Sequence, residues 1–435
     1  MPTLTPTSFD SFGLHPALLK ALQNKAYAQP TPIQQSAIAP ALQGKDILGS
    51  AQTGSGKTAA YALPALQHLA AQTLLSPRRT LVLVLVPTRE LAMQVGEVFK
   101  QLGAHLPQAV HITTLFGGVS INPQMMRLRG GSDVVVATPG RLLDLIDRNA
   151  LHISHVETLV LDEADRLLDM GFAAEIERLL SLLPSKRQNL FFSATFPSAV
   201  QQLANTLLAD PVRIDVQPEV ENAANITQRA VLVDAPMRTQ LLRHLIEQNK
   251  WPRVLVFVAT KHAAEMVAAK LRKGRINAEP FHGEQSQGKR VQVLADFKAS
   301  RLTVVVATDV AARGLDIASL PVVVNFDLPR SAVDYTHRIG RTGRAREKGL
   351  AVSFVSMDTQ AHWRLIQKRQ NPDSPFVALD QVAGFEPTET PPEVSFANGG
   401  VKGKRPSKKD KIRAANARAK NPSTVKIEGE TYPVA

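Results

Sequence analysis

The feature that most constrains this chain is an octet, Ala51-Gln-Thr-Gly-Ser-Gly-Lys57-Thr58, set between an apolar run at Asp46 to Ser50 and a helix-like stretch at Ala59 to Ala71. Strand, glycine-rich loop and helix in that order make a cradle for phosphate. Gly54 and Gly56 let backbone N–H groups turn inward, and the helix N-terminus adds partial positive charge at the same point. Thr53, Gly54, Ser55 and Gly56 then form the wall of the cradle. Lys57 is placed to meet β and γ phosphates, and Thr58 to coordinate a divalent cation such as Mg²⁺.

Strand and helix signals alternate along the rest of the chain. Short runs rich in Val, Ile and Leu, of the kind buried on both faces of a parallel sheet, place strands near Asp46–Ser50, Thr80–Pro87, Asp133–Thr138, Thr158–Asp162 and Asn189–Ser193. A second series falls near Arg253–Ala259, Ala278–His282, Leu302–Thr308, Val322–Asp327 and Leu350–Val355. With 435 residues the chain exceeds the usual size of one core. The reading is therefore α/β, with two tandem doubly wound parallel-sheet domains. Residues 1-213 form the first and 229-370 the second, joined by a linker at 214-228 that is poor in apolar periodicity. From 371-435 the composition turns to Pro, Glu, Thr and Gly and then to Lys and Arg, predicting a low-complexity, disordered basic tail.

Charge points to the partner. The chain carries a formal +13, and from Val401 to Ala435 ten Lys or Arg stand against three Asp or Glu, a net +7. Such a balance favours a polyanion, because each neutralised phosphate releases condensed counterions. No cysteine is present, which excludes disulfides and thiolate metal sites and fits a reducing cytoplasm. No apolar run is long enough to span a bilayer and Met1 to Ser11 lack a secretory signature, so a membrane is not an expected partner.

Two further clusters carry chemistry. Asp162-Glu163-Ala164-Asp165 ends the apolar run Thr158 to Leu161, so its carboxylates emerge at a strand's C-terminal edge, where doubly wound folds bind ligands. Asp162 suits Mg²⁺ and its water shell, and Glu163 suits a general base for an attacking water. In the second half, His337-Arg338-Ile339-Gly340-Arg341-Thr342-Gly343-Arg344 supplies three arginines in eight residues. Arg341 and Arg344 are candidates to stabilise charge on a transferring phosphoryl group; an RNA-facing or solvated basic loop is the alternative for this segment.

Taken in order, these strings resemble the DEAD-box family of superfamily 2 RNA helicases over about Phe9 to Val355, most closely the bacterial RhlE-like subgroup, on the stretches Asp162–Phe172, Phe191–Pro197 and Val382–Pro387. The resemblance implies two RecA-like domains, ATP and Mg²⁺ as cofactors, and RNA bound by its backbone. Phe9 and Tyr27-Ala-Gln-Pro-Thr-Pro-Ile-Gln34 are similar to the family's Q motif, in which the glutamine reads adenine and an aromatic stacks on it. The family usually has Gly where this chain has Ala26, for which a small backbone adjustment is expected. By the same resemblance Pro87, Thr88, Arg89, Gly118, Thr138 and Arg141 contact RNA from the first domain. Thr260, Gln287, Arg290 and Thr308 do so from the second. Gly314 and Asp316 face the nucleotide, Arg313 ties motifs together, and Ser193, Thr195, Asp165 and His337 couple hydrolysis to strand separation. The implied activity is RNA-stimulated ATP hydrolysis coupled to local unwinding of short duplexes or remodelling of RNA–protein complexes, with ribosomal precursor particles or RNA-decay machinery as partners. A DNA-directed helicase, and an ATP-independent RNA chaperone or assembly scaffold, are the competing functions.

Overall fold

In a computed structural model, the protein is described for residues 8–51, 54–73, 76–216, 226–312, 320–343, 348–370 and 376–387, with the backbone of 426–427 and 430–431. Met1–Glu389 is one compact unit. It contains two seven-stranded sheets in which all pairs are parallel.

The first sheet is built from β1 (Ile47–Ser50), β2 (Val82–Leu85), β3 (Ile112–Leu115), β4 (Val134–Ala137), β5 (Thr158–Leu161), β6 (Gln188–Ser193) and β7 (Val212–Asp215), in the order β3-β4-β2-β5-β6-β1-β7. The second is built from β8 (Ile226–Leu232), β9 (Val254–Val258), β10 (Ala278–Phe281), β11 (Val304–Thr308), β12 (Val322–Asn325), β13 (Gly349–Val355) and β14 (Leu379–Asp380). Its order, β10-β11-β9-β12-β13-β8-β14, is that of the first sheet displaced by seven strands. The two α/β domains share one topology.

Helices cover both faces of each sheet, and the strand sequences show why. Val82 and Val84 of β2 enter the core on one face while Leu83 and Leu85 enter the core on the other. Val254 and Val256 of β9 likewise oppose Leu255 and Phe257. A strand buried on both sides cannot alternate in polarity, so it reads as an unbroken apolar run.

Four strands lie outside the sequence expectation for the same reason. β3, Ile-Thr-Thr-Leu, and β7, Val-Arg-Ile-Asp, are edge strands in which exposure alternates. β8 is buried only in its last three residues, with Thr-Gln-Arg interrupting its apolar run, and β14 is two residues long. The expected linker thus begins and ends within strands, since β7 ends at Asp215 and β8 starts at Ile226; residues 217–225 lie outside the described ones.

Packed structure also continues beyond residue 370. β14 pairs with β8, and Val382 and Phe385 pack on the second domain's core, the Phe385 ring 5.4 Å from that of His244. Val382 and Phe385 are sparse apolar anchors in a polar stretch, which composition alone reads as tail. The basic tail itself falls outside the described residues, apart from a two-residue antiparallel pair, Lys426–Ile427 with Glu430–Thr431, in the separate unit Thr390–Ala435.

Candidate active site and nucleic-acid interface

The strand order divides the candidate residues in space. Sequence order reverses between β2 and β5, the switch point at which doubly wound sheets open a crevice beyond their strand ends. On one side, β1, β5 and β6 end at the phosphate loop, the acidic box and Ser193. On the other, β2, β4 and β3 end next to Pro87–Arg89, Thr138 and Gly117–Gly118. The second sheet repeats the division, with Thr260, Thr308 and His282 after or at the ends of β9, β11 and β10.

On the first side Lys57 is buried at the start of helix Lys57–Ala70 and donates to Ala51 O at 2.8 Å. Gly56 caps that helix at φ +96°, and a Cβ there would meet Gln34 Nε2 at 2.5 Å, so both conformation and space require glycine. Gln34 in turn donates from Nε2 to Gly56 O at 3.0 Å and accepts the Thr31 N–H at Oε1, also 3.0 Å. The adenine candidate is therefore mechanically tied to the phosphate loop.

Asp162 and Glu163 are buried beyond β5. Asp162 Oδ2 accepts the Tyr61 hydroxyl at 2.8 Å, while Oδ1 has no hydrogen-bond partner. Glu163 has φ 54° and ψ 52°, a left-handed conformation that costs a non-glycine residue about 1 kcal/mol and marks many catalytic positions. Its Oε2 also lacks a hydrogen-bond partner, with Arg166 Nε 3.8 Å away. Burial pushes both carboxyls above their ordinary range, against the opposing pull of Lys57 on each and of Arg166 and Arg341 on Glu163. Two buried carboxylate oxygens whose lone pairs accept no hydrogen bond suit a hydrated divalent cation and an attacking water. Mg²⁺ is ordinarily held by one or two carboxylates plus phosphate oxygens, so Asp162 fits it, and Thr58, which lines the same cleft, is the hydroxyl a phosphate loop contributes.

Arg341 comes from the second domain yet lines the same cleft, of about 1100 Å³, as Gln34, Gly54, Gly56, Lys57, Thr58, Asp162 and Glu163. Tyr27, 36% exposed, lines it too, whereas Phe9 is 4% exposed and packs in the first domain's core beside Phe12. Of these two aromatics Tyr27 lines the cleft, while Phe9 belongs to the buried core cluster that also includes Ile33 of the Q-motif segment. Ala26 sits at φ 55°, so the residue standing where the family has glycine adopts a backbone conformation that favours glycine. Thr53, Arg313, Gly314, Asp316 and Arg344 lie outside the described residues.

The coupling candidates form one network. Asp165 N–H donates to Ser193 Oγ at 3.2 Å, Thr195 Oγ1 donates to Asp165 Oδ2 at 2.8 Å, and Ser193 Oγ donates to Thr195 O at 2.8 Å. Across the domains Arg166 donates to Nδ1 of His337. Burial, with Arg166 and Arg341 nearby and Asp165 opposing, lowers the His337 pKa to about 3, keeping the ring a neutral acceptor. Sequence reading assigned Arg166 no role, although it adjoins the acidic box.

On the second side, buried guanidinium groups dominate. Arg89 Nη1 lies 3.4 Å from Gly117 O and its head is 5.5 Å from the Phe116 ring. Arg141 Nη2 donates to Val119 O at 2.8 Å, and Arg141 Nε and Nη1, like Arg89 Nε and Arg290 Nε, have no hydrogen-bond partner. Arg290 reaches Glu90 of the first domain at 3.1 Å over the Phe281 face, and Gln287 lies beside Met93. Thr88 and Thr260 cap helices through the N–H groups of Leu91 and Ala263. His282 Nε2 lies 2.8 Å from Glu265 Oε1, a local hydrogen bond within the second domain. Guanidinium N–H groups without hydrogen bonds have the chemistry to contact phosphate without reading bases, although each of these arginines has a carboxylate within 4 Å.

Comparison with known proteins names this arrangement. The profile of the DEAD/DEAH box helicase family matches residues 31–203, and that of the helicase conserved C-terminal domain matches residues 237–346. The chain belongs to the DEAD-box helicases. The ATP-dependent RNA helicase SrmB of Escherichia coli is 45% identical to it, over 83% of this chain and 81% of SrmB. The ATP-dependent RNA helicase DeaD of Buchnera aphidicola is 40% identical over 85% of this helicase but only 60% of that relative's length. Against a Bacillus cereus CshA the figures are 41% identity and 66% of the relative. Among solved structures, yeast Dbp5 bound to RNA and ADP BeF3 superposes with a TM-score of 0.75 at 29% identity, covering 86% of this helicase and 95% of that chain.

Proposed function

We propose that the helicase hydrolyses ATP with Mg²⁺ when RNA draws its two domains together, and uses the cycle to open short RNA duplexes or remodel RNA–protein complexes. The observation that carries the reading is Arg341, a second-domain residue in the cleft that holds Lys57, Asp162 and Glu163 of the first. A site divided in this way is complete only when both domains close on it.

In the proposed assignment Tyr27 and Gln34 take the adenine, with Phe9 in support. Thr53 to Thr58 hold the phosphates, Thr58 and Asp162 hold Mg²⁺, and Glu163 orients and deprotonates the attacking water. Arg341 and Arg344 neutralise charge on the transferring phosphoryl group, and Gly314 and Asp316 close over the nucleotide. Mg²⁺ supplies Lewis-acid stabilisation of the phosphate oxygens. Pro87 to Arg89, Gly118, Thr138, Arg141, Thr260, Gln287, Arg290 and Thr308 grip one RNA strand by its phosphates and 2′-hydroxyls, giving sequence-tolerant binding. Ser193, Thr195, Asp165 and His337 relay closure between the two sites.

The motor domains are proposed as residues 1–215, through β7, and 226–370 with 376–387, from β8, so that the linker expected at 214-228 narrows to 216–225. The basic cluster Lys402 to Lys420 serves as an RNA anchor, and an RhlE-like assignment within the family accommodates the Val382–Pro387 segment. Cytoplasmic work on ribosomal precursors or in RNA decay is part of the same proposal. Among the described residues no helix is long and apolar enough to cross a membrane.

Glu163→Gln tests the motor reading directly. It should abolish turnover and trap ATP with RNA, and a variant that turns over normally would sink the motor in favour of a chaperone or scaffold. Stimulation of ATPase by RNA but not by single-stranded DNA separates the RNA from the DNA reading. Removing the residues after Gly400 should flatten the salt dependence of RNA binding; an unchanged slope rejects the anchor.

A further inference from the structure

The phenol of Tyr61 is a polar group at the nucleotide site that none of the sequence motifs uses. It lies three residues after Thr58 on helix Lys57–Ala70, hence on the same helix face. Its side chain is 0% exposed, with the ring wedged against Phe99 at 6.2 Å and Phe192 at 5.6 Å. Phe192 belongs to β6, the strand between β1 and β5. The ring therefore has little freedom, and its hydroxyl is a fixed point beside the end of β5.

That fixed point holds one oxygen of the acidic box. The hydroxyl donates to Asp162 Oδ2 at 2.8 Å, with Thr58 a second hydrogen-bonding neighbour of the phenol, while Asp162 Oδ1 is left without a partner. We infer that Tyr61 is a positioning residue for the metal-holding carboxylate: by anchoring Oδ2 it fixes the Asp162 rotamer that offers Oδ1 to the cation. The inference rests on the proposal that Asp162 and Thr58 hold Mg²⁺. A buried tyrosine needs a hydrogen-bond partner in any case, so the competing view is that Asp162 merely satisfies Tyr61. In that view the bond serves the core, and loss of the hydroxyl leaves the cation untouched.

Tyr61→Phe removes the hydroxyl and keeps every ring contact. The readout is the affinity of the full chain for a fluorescent ADP, in EDTA and across a Mg²⁺ titration. The expected result is an affinity in EDTA within about twofold of the parent, which also reports an intact fold, and a half-saturating Mg²⁺ concentration raised about tenfold, or about 1.4 kcal/mol. An unchanged Mg²⁺ midpoint, with or without a lower melting temperature, overturns the inference and leaves Tyr61 a core residue. In an Asp162→Asn background the same change should add nothing to the Mg²⁺ dependence, whereas an undiminished shift there overturns the route through Asp162. If Mg²⁺ fails to tighten ADP binding in the parent chain, the metal assignment itself falls, and the inference with it.

Discussion

The two sheets share one strand order, yet the pockets at their equivalent strand ends are finished in opposite ways. After β1 the first domain has a phosphate loop ending in Lys57; after β8 the second has a short turn, Ala235–Met237, leading to Arg238. Beyond β5 stand Asp162 and Glu163; beyond β12 stand Phe326 and Asp327. In the second domain the charges cancel locally. Arg238 Nη1 donates to Asp327 Oδ1 at 2.9 Å and Nη2 to Ser356 Oγ at 2.8 Å, and the Ala259 N–H donates to Asp327 Oδ2 at 2.8 Å. In the first domain Lys57 donates to a backbone carbonyl instead, and a carboxylate oxygen of each acidic residue goes without a hydrogen bond. Arg238 Nε has no hydrogen-bond partner, but both oxygens of Asp327 are taken, and removing one member of such a pair strands a buried charge; carboxylate oxygens without hydrogen bonds cost stability and keep their lone pairs for a ligand. One topology thus yields a site in one copy and a structural clasp in the other.

The largest test of that contrast removes what the second domain lends to the first. Arg341→Ala should lower RNA-saturated kcat by about 10³-fold or more, and a loss under tenfold would mean the first domain's site is complete without it. Next in size, Glu163→Gln should cost about 10²- to 10⁴-fold in ATP turnover while leaving chemical stability equal to the parent or about 1 kcal/mol higher. Asp327→Ala should show the reverse pattern, with denaturation losing about 3 kcal/mol because Arg238 is left buried and unpaired. If Asp327→Ala spares stability and abolishes turnover, the clasp is part of the catalytic site and the contrast fails.

A pH effect sharpens the same comparison at the contact between domains. His337 is held neutral, with a pKa lowered from 6.5 to about 3, where it accepts from Arg166. The separated form takes up a proton as pH falls through 6.5 and the joined form does not until about 3. The contact is therefore fully present above 6.5 and weakens on acidification, by at most about 1.4 kcal/mol per pH unit. Energy transfer between dyes on the two domains, in ATP and RNA, should fall from pH 7.5 to 5.5 in the parent and stay level in His337→Gln. Smallest of all, Ala26→Gly should relieve the left-handed strain at φ 55° and raise stability by up to about 1 kcal/mol, read as a shift in denaturation midpoint. A loss of stability there would show that the Ala26 methyl packs usefully beside the cleft.

What the sequence determined by itself was local and chemical. Unbroken apolar runs such as Val82–Leu85 and Val134–Ala137 marked the central strands, because a strand covered on both faces has no polar positions to hide. The phosphate loop and acidic box were legible because their chemistry needs fixed residue types in a short span. Edge strands β3 and β7 and the strap that ends in Phe385 were not, since their apolar residues are too few or alternate with polar ones. Only tertiary structure could decide which groups meet. Nothing in the spacing from 61 to 162, 166 to 337 or 90 to 290 says that Tyr61 holds Asp162, that Arg166 donates to His337, or that Glu90 pairs with Arg290. Those pairs join residues far apart in the chain, brought together when parallel strands align their C-terminal ends and two such edges face each other. The phosphate loop could be recognised from eight residues. Whether its neighbouring carboxylates are spent or left open depends on every strand around them.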